Sequence, residues 1–298
     1  MNRSKAYSSG IRSMSLSAVA FALMALCVKL VTERLPSIEI VFFRSFFGML
    51  ITLFFLIKSG ASVWGRERLK LVARGASGFL ALILHFYTIS KLGLGLAVML
   101  NYTAPIFAVI LAVFFLKEKP GFLVWFLIFL AFGGIILLNS SAITGWRPEV
   151  WLAILSSVFA ALAYVSIRTI KHRESPLTII FYFTWISTVG SAFFFKSWIW
   201  PDVREWFLIA GVVIFSFYGQ LWMTSSLQQA PAYVVTPFQY LHPVISFLIG
   251  WILWKDPLTP ATLAGIFLIV LSGSLISYLE TRVRTREEVS ALPGETSL

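Results

Sequence analysis

Acidic side chains are scarce in this sequence, and they are missing from the middle of every long apolar run. The thirteen Asp and Glu residues lie at the edges of these runs, in the connectors between them or in the polar tail. A carboxylate proton relay at mid-membrane depth is therefore excluded. Only Asp202 and Asp256 are aspartates, so the chain lacks an acidic motif able to hold Mg²⁺ on a diphosphate. Cysteine occurs once, at Cys27, which rules out an intrachain disulfide and a Cys-based metal site. No zinc set and no grouping of Ser, His and acid can be assembled, so no catalytic residue, metal or cofactor is called for. Charged residues of both signs amount to 12%, against roughly 25% in soluble domains, and an ordinary soluble enzyme is excluded with them.

What fills the sequence instead is apolar. Hydrophobic residues make up 58% and aromatics 16%, and the mean hydropathy is +0.86, which makes lipid the solvent for most side chains. The formal charge of +11 sits mainly in short connectors, where it sets topology; no nucleic-acid partner follows from it. Segments long enough to cross a bilayer as helices are expected at about 13–33, 37–57, 73–92, 95–116 and 121–139. A second set follows at about 149–170, 177–198, 206–228, 232–254 and 260–279. Pro36, Pro120, Pro148, Pro176, Pro231 and Pro260 fall at or near the starts of these runs, where a missing N–H costs little. The first run, although it contains Cys27 after Leu26, is read as a retained helix and not as a leader. With both ends cytoplasmic, sixteen Lys and Arg residues lie inside, Arg74 among them, against six outside. The expected location is the plasma membrane, an inner membrane in a bacterium, with residues 280–298 as a disordered cytoplasmic tail. A homodimer is left open.

The two sets of runs resemble each other in residues. Ala22, Leu23 and Lys29 are matched by Ala161, Leu162 and Arg168, and Asn101, Tyr102 and Pro105 by Gln239, Tyr240 and Pro243. Glu118 and Asp256 lie equally far beyond the two prolines, each preceded by a lysine. Five is an odd number of crossings, so the second half must enter from the opposite side, and the expected fold is all-α, with ten transmembrane helices as two inverted five-helix repeats, 13–139 and 149–279. Inverted halves suit alternating access around a site near the bilayer midplane.

With Lys29 in the first run, Arg44 in Ile40-Val41-Phe42-Phe43-Arg44-Ser45 in the second, and Tyr102-Thr103-Ala104-Pro105 leading to Leu116-Lys117-Glu118, the sequence resembles the EamA family of the drug/metabolite transporter superfamily. That resemblance implies ten helices around a central cavity and carriage of a small molecule such as an amino acid, nucleotide-related compound, vitamin or drug. The second half departs from the pattern, with Thr184 at the place matching Arg44.

Polar groups inside the runs are costly in lipid and should face the interior. His85 is read equally as an interhelical hydrogen bond or as a substrate or proton contact. Arg44 is read first as a snorkelling arginine or one paired with Glu39 or Glu33, and second as an anion contact; Lys29 and Arg168, nearer helix ends, are read more strongly as snorkelling. A gating or electrostatic role is the functional reading of all three. Pro105 and Pro243 would kink their helices and free the carbonyls of Asn101 and Gln239, beside Tyr102, Tyr240 and His242. Ser216, Gln220 and Thr224 recur on one helix face. Tyr87, Tyr164, Trp185, Tyr218 and Trp222 are assigned to interfacial belts before any binding role. The expected substrate contacts are thus His85, Asn101, Tyr102, Gln220, Gln239 and Tyr240, in a carrier of a small-molecule substrate embedded in the lipid bilayer. The competing expectation is a membrane enzyme acting on a lipid-soluble substrate.

Overall fold

In the computed structural model the described residues are 3–32, 34–92, 100–118, 120–138, 148–170, 173–254, 259–261, 263–272 and 275. Among them every regular element is helical. The helices are α1 (Arg3–Val31), α2 (Ser37–Ser59), α3 (Arg68–Leu92), α4 (Ala104–Leu116), α5 (Phe122–Leu138), α6 (Pro148–Ile170), α7 (Pro176–Ala192) and α8 (Val203–Gln229). A single turn, α9 (Ala232–Val235), runs through a 3₁₀ turn (Thr236–Tyr240) into α10 (Leu241–Trp254), and α11 (Leu263–Ser272) follows. Five segments, Tyr7–Val31, Ser37–Ser59, Pro148–Ile170, Val203–Gln229 and Ala232–Leu253, are long and apolar enough to cross a membrane. Large apolar side chains such as Phe54, Phe114, Phe122, Trp151, Phe207 and Ile252 point outward, as expected of a multi-pass membrane protein solvated by lipid.

Local chemistry explains most helix ends. Pro148 and Pro176 open α6 and α7, and Ser175 caps α7 by accepting from the Leu177 N–H. Asp202 and Glu205 form a reciprocal capping box at the start of α8. Gly60 ends α2 in a left-handed conformation (φ 67°) that a side chain would strain.

Three boundaries differ from the sequence expectation. The third helix begins at Arg68, so Arg74 is a correction: it is a helical residue only 2% exposed, not a connector cation. Its removal lowers the inside excess of positive charge by one without changing its sign. The fourth run breaks at Tyr102 and Thr103 and restarts at Ala104, which places Pro105 in the first turn of α4 and not at a mid-helix kink. The ninth run is likewise interrupted, with Gln239 and Tyr240 in the 3₁₀ turn and Pro243 at the third position of α10. The expected tail, together with Lys255 and Asp256, lies outside the described residues.

Helices distant in sequence pack most extensively. α1 lies along α8, α3 along α6 and α2 along α7, whereas α2 with α3 and α7 with α8, their chain neighbours, touch far less. Small residues permit the close approach. Ser17 Oγ donates to the Gly219 carbonyl at 2.8 Å and Ser226 Oγ to the Gly10 carbonyl at 2.6 Å, joining α1 to α8. Ser156 Oγ donates to the Ala81 carbonyl at 2.7 Å, joining α6 to α3.

Two polar latches close the bundle at opposite ends of α2, a helix about 35 Å long. At one end Arg34, between α1 and α2, makes a two-pronged ion pair with Glu205 of α8, with Nε to Oε1 at 2.7 Å. Beside it the Glu39 carboxylate accepts from the Ile199 N–H at 2.9 Å. At the other end Arg173, between α6 and α7, donates to Glu67 at the start of α3 at 2.7 Å. There the Glu174 carboxylate accepts from the backbone N–H groups of Arg66 and Glu67. Hydrogen bonds from Arg173 and then Lys70 hold the Glu67 carboxyl below its usual range. A depressed folded value means the contribution is whole above the unfolded carboxylate pKa and disappears as pH falls through the lower folded one, so this latch is intact at neutral pH.

Close packing of α5 on α11 yields a direct test. A Cβ on Gly134 would lie 2.8 Å from the Gly265 carbonyl oxygen, while one on its neighbour Gly133 would meet nothing within 4 Å. Gly134→Ala is expected to destabilise by about 1–3 kcal/mol relative to Gly133→Ala. Thermal melts of the two purified variants in detergent measure that difference, and equal melting temperatures would contradict this helix contact.

Candidate functional site

The interior polar residues fall into two neighbouring groups. The first occupies the meeting of α2, α3, α7 and α8. Arg44, 6% exposed, donates through Nε to Ser216 Oγ, and Arg74 donates through Nη2 to Gln220 Oε1 at 3.3 Å. Both guanidinium groups lie against one aromatic ring: Arg74 Cζ is 4.8 Å and Arg44 Cζ 5.7 Å from the Phe183 ring centre. Arg44 Nη1 and Arg74 Nε and Nη1 have no hydrogen-bond partner among the described residues. Beside them is a narrow cleft of about 10 Å³ lined by Arg44, Ile180, Phe183, Thr184, Phe217 and Gln220.

Glycine at position 78 makes room for this arrangement. A Cβ there would lie 2.4 Å from Arg74 Nη1 and 2.9 Å from Phe183 Cδ2. One helical turn after Arg74, the chain therefore carries no side chain where the guanidinium rests on the ring.

The second group gathers at the two interrupted runs. The Tyr102 hydroxyl is hydrogen-bonded to His242 Nδ1, and the Tyr102 ring lies 5.5 Å from the His242 ring and 6.3 Å from that of Tyr240. His85 of α3 neighbours His242. Ser156 Oγ, which donates to the Ala81 carbonyl, lies 3.5 Å from Asn101 Oδ1. Tyr164 connects the groups, since it neighbours both Arg74 and the Gln239 amide. Interrupted helices place such side chains where regular ones could not, because the 3₁₀ turn rotates Gln239 and Tyr240 away from the α-helical register.

All six expected contacts are thus interior, but they divide between the groups. Gln220 belongs with the arginines; His85, Asn101, Tyr102 and Tyr240 belong with His242; Gln239 stands at the junction through Tyr164. Ser216, Gln220 and Thr224 share the buried face their spacing implied. Tyr87, Trp185 and Tyr218 face outward, whereas Tyr164 belongs to the interior.

Arg44 and Arg168 depart from their first readings. Arg44 neither snorkels nor pairs with Glu39, whose carboxylate is engaged with Ile199; Glu33 lies outside the described residues. Arg168 is ion-paired, through Nε to Glu118 Oε1 at 3.0 Å, tying α6 to the end of α4. Lys29 is partly buried near the end of α1. Arg74 is the functional candidate the sequence reading missed. Its position among Arg66, Arg68 and Lys70 resembles a topogenic cluster, and Gly75 and Gly78 just after it were the available sign of close packing.

The model of the EamA-like transporter family matches residues 8–140 and again 147–278. The pseudopaline exporter CntI of Pseudomonas aeruginosa is 30% identical over 272 residues, covering 90% of this chain and 96% of its own. The S-adenosylmethionine uptake transporter of Rickettsia bellii is 25% identical over 288 residues, covering 95% of this chain and 98% of its own. A crystal structure of a protein 16% identical superposes with a TM-score of 0.82 over 93% of this chain and 99% of that one, which establishes likeness of fold.

The two interior tyrosines differ in a measurable way. The Tyr102 hydroxyl shares a hydrogen bond with His242, while the Tyr240 hydroxyl is buried without a partner among the described residues. Tyr102→Phe is expected to cost about 1–3 kcal/mol by orphaning the histidine nitrogen, and Tyr240→Phe to be neutral or stabilising. Melting curves of the two variants decide this, and the reverse order would contradict the assigned hydrogen bond.

Proposed function

Because the chain belongs to the EamA-like transporter family and is a secondary transporter of small molecules, we propose that it works by alternating access between two inverted five-helix halves, residues 13–139 and 149–279. Membership of a transporter family also retires the membrane-enzyme reading. The proposed chamber lies between the halves, with His85, Asn101, Tyr102, Gln220, Gln239 and Tyr240 among its contacts. Its solute is of the small-metabolite kind, and pseudopaline and S-adenosylmethionine, named for relatives, are the first candidates to try.

One observation carries the inverted-repeat reading: hydrogen bonds between the halves recur under the offset that relates Pro105 to Pro243, to within one residue. Ser17 to Gly219 becomes Ser156 to Ala81, and Arg34 to Glu205 becomes Arg173 to Glu67. The helix pairs repeat likewise, α1 with α8 answering α3 with α6, while α2 with α7 maps onto itself. Two chemically equivalent latches at opposite ends fit a rocking carrier, since opening one end and then the other breaks one like contact at a time and the two states differ little in energy. With the amino terminus cytoplasmic, the Arg34–Glu205 latch faces outward and the Glu67–Arg173 latch inward.

Labelling tests this without knowledge of the solute. Ser45 lines the cleft, so Ser45→Cys in a Cys27→Ser background reports its accessibility. Glu205→Gln is expected to raise reactivity with an impermeant thiol reagent in right-side-out vesicles, and Glu67→Gln in inside-out vesicles, each severalfold. Both variants opening to the same side, or neither opening at all, would remove the two-gate mechanism.

A further inference from the structure

Among the described residues the four ion pairs are Arg34–Glu205, Lys70–Glu67, Arg168–Glu118 and Arg173–Glu67. None includes Arg44 or Arg74, the two most deeply buried arginines. Two positive charges therefore share one apolar ring, mid-bundle, with three donor nitrogens unused. Burying an uncompensated charge costs several kcal/mol in general, and two like charges side by side cost more. Such an arrangement is retained when something outside the chain supplies the opposite charge.

The geometry points to Arg44 and Arg74 as the binding site for a carboxylate group of the transported solute, with Phe183 as the floor between the two guanidinium groups. This rests on the carrier reading and narrows its substrate to organic acids and carboxylate-bearing zwitterions. Guanidinium forks match a planar carboxylate in two-pronged hydrogen bonds, which a lysine ammonium cannot reproduce. Phosphate is less well served. The cleft residues Ser45, Gly48, Ile180, Thr184, Ser216 and Gln220 all lie within helices, whose backbone N–H groups are already bonded, so no backbone cradle is offered to three phosphate oxygens. The cleft between Ile180 and Phe217 is narrow in this state, about 10 Å³ or room for one water-sized group, so the proposed solute can enter only when the helices around the arginines part.

Both cations come from the first half. Position 184, which answers Arg44, is a threonine bonded to its own helix, and Val212, which answers Arg74 under the offset joining Glu67 to Glu205, is apolar. One anion site would therefore lie off-centre on the repeated scaffold.

Thermal melts of the purified full chain provide the test, with acetate, benzoate, succinate and citrate as one arm, inorganic phosphate as a second, and choline as a third. Carboxylates are expected to raise the melting temperature saturably. Arg44→Met and Arg74→Met should each weaken the half-saturating concentration by about thirtyfold or more, while raising the melting temperature of the ligand-free protein by removing an uncompensated charge. Gly78→Ala keeps both charges but displaces Arg74 from Phe183, and should weaken carboxylate stabilisation with the charge intact. Stabilisation by phosphate alone, by choline alone, or by none of them overturns the inference, and so does a lower ligand-free melting temperature in the Met variants, the mark of structural arginines. Flux in liposomes separates this result from the carrier reading. Trans-stimulated exchange of a neutral or cationic solute that the Met variants leave unchanged would retain the carrier and discard the anion site. Carboxylate stabilisation without trans-stimulated exchange would do the opposite.

Discussion

Hydrocarbon offers no hydrogen-bond partner, and the whole arrangement of this protein follows from having to satisfy polar groups from within. Serine and threonine hydroxyls give their protons to backbone carbonyls, either one turn back, as Thr52 does to Gly48, or across helices, as Ser17 does to Gly219. Charged side chains pair at the ends of the bundle. Buried hydroxyls such as those of Ser187, Thr224 and Tyr240 are also left without a partner among the described residues, but Arg44 and Arg74 stand out because what they leave unmet is a full positive charge with no ion pair among those residues. The same constraint that shapes the fold therefore marks the place where we propose that an anion binds.

Helices are held chiefly by partners from the other set, not by their neighbours along the chain. The rocking motion we propose for the two sets would have to shear these interlocked faces, with the Arg34–Glu205 and Arg173–Glu67 pairs broken in turn; the arginine of each pair is exposed, whereas Glu205 is nearly buried. In that proposal the latches repeat and the buried cations do not. Discontinuities occur at matching places in the fourth and ninth runs, and they bring Tyr102, Gln239 and Tyr240 to the interior at angles that a continuous helix would not allow.

Much of the architecture was legible because hydropathy is a local property. Long apolar runs, prolines at their starts and charges between them depend on a few residues at a time, and the structure places helices where they fall. The inward face of Ser216, Gln220 and Thr224 was equally legible, since a four-residue spacing specifies a helix face before any tertiary contact exists. Where neighbours along the chain mislead, the reading went astray. Arg74 sits among connector cations and resembles them, yet one further turn of helix carries it into the core. Arg44 has Glu39 five residues away, but five residues on a helix point to different faces, and Glu39 turns to Ile199 instead.

By itself the sequence determined the solvent, the apolar runs that become helices and the internal resemblance of its two sets, all of which are written in composition and short-range pattern. Only the tertiary structure decided which side chains share a chamber. Arg44, Arg74, Phe183 and Gln220 come from four helices, and no spacing along one chain encodes the distance between them. Whether a buried guanidinium is paired or waiting depends on what three other helices bring within about 3 Å of it, and that is settled by packing alone.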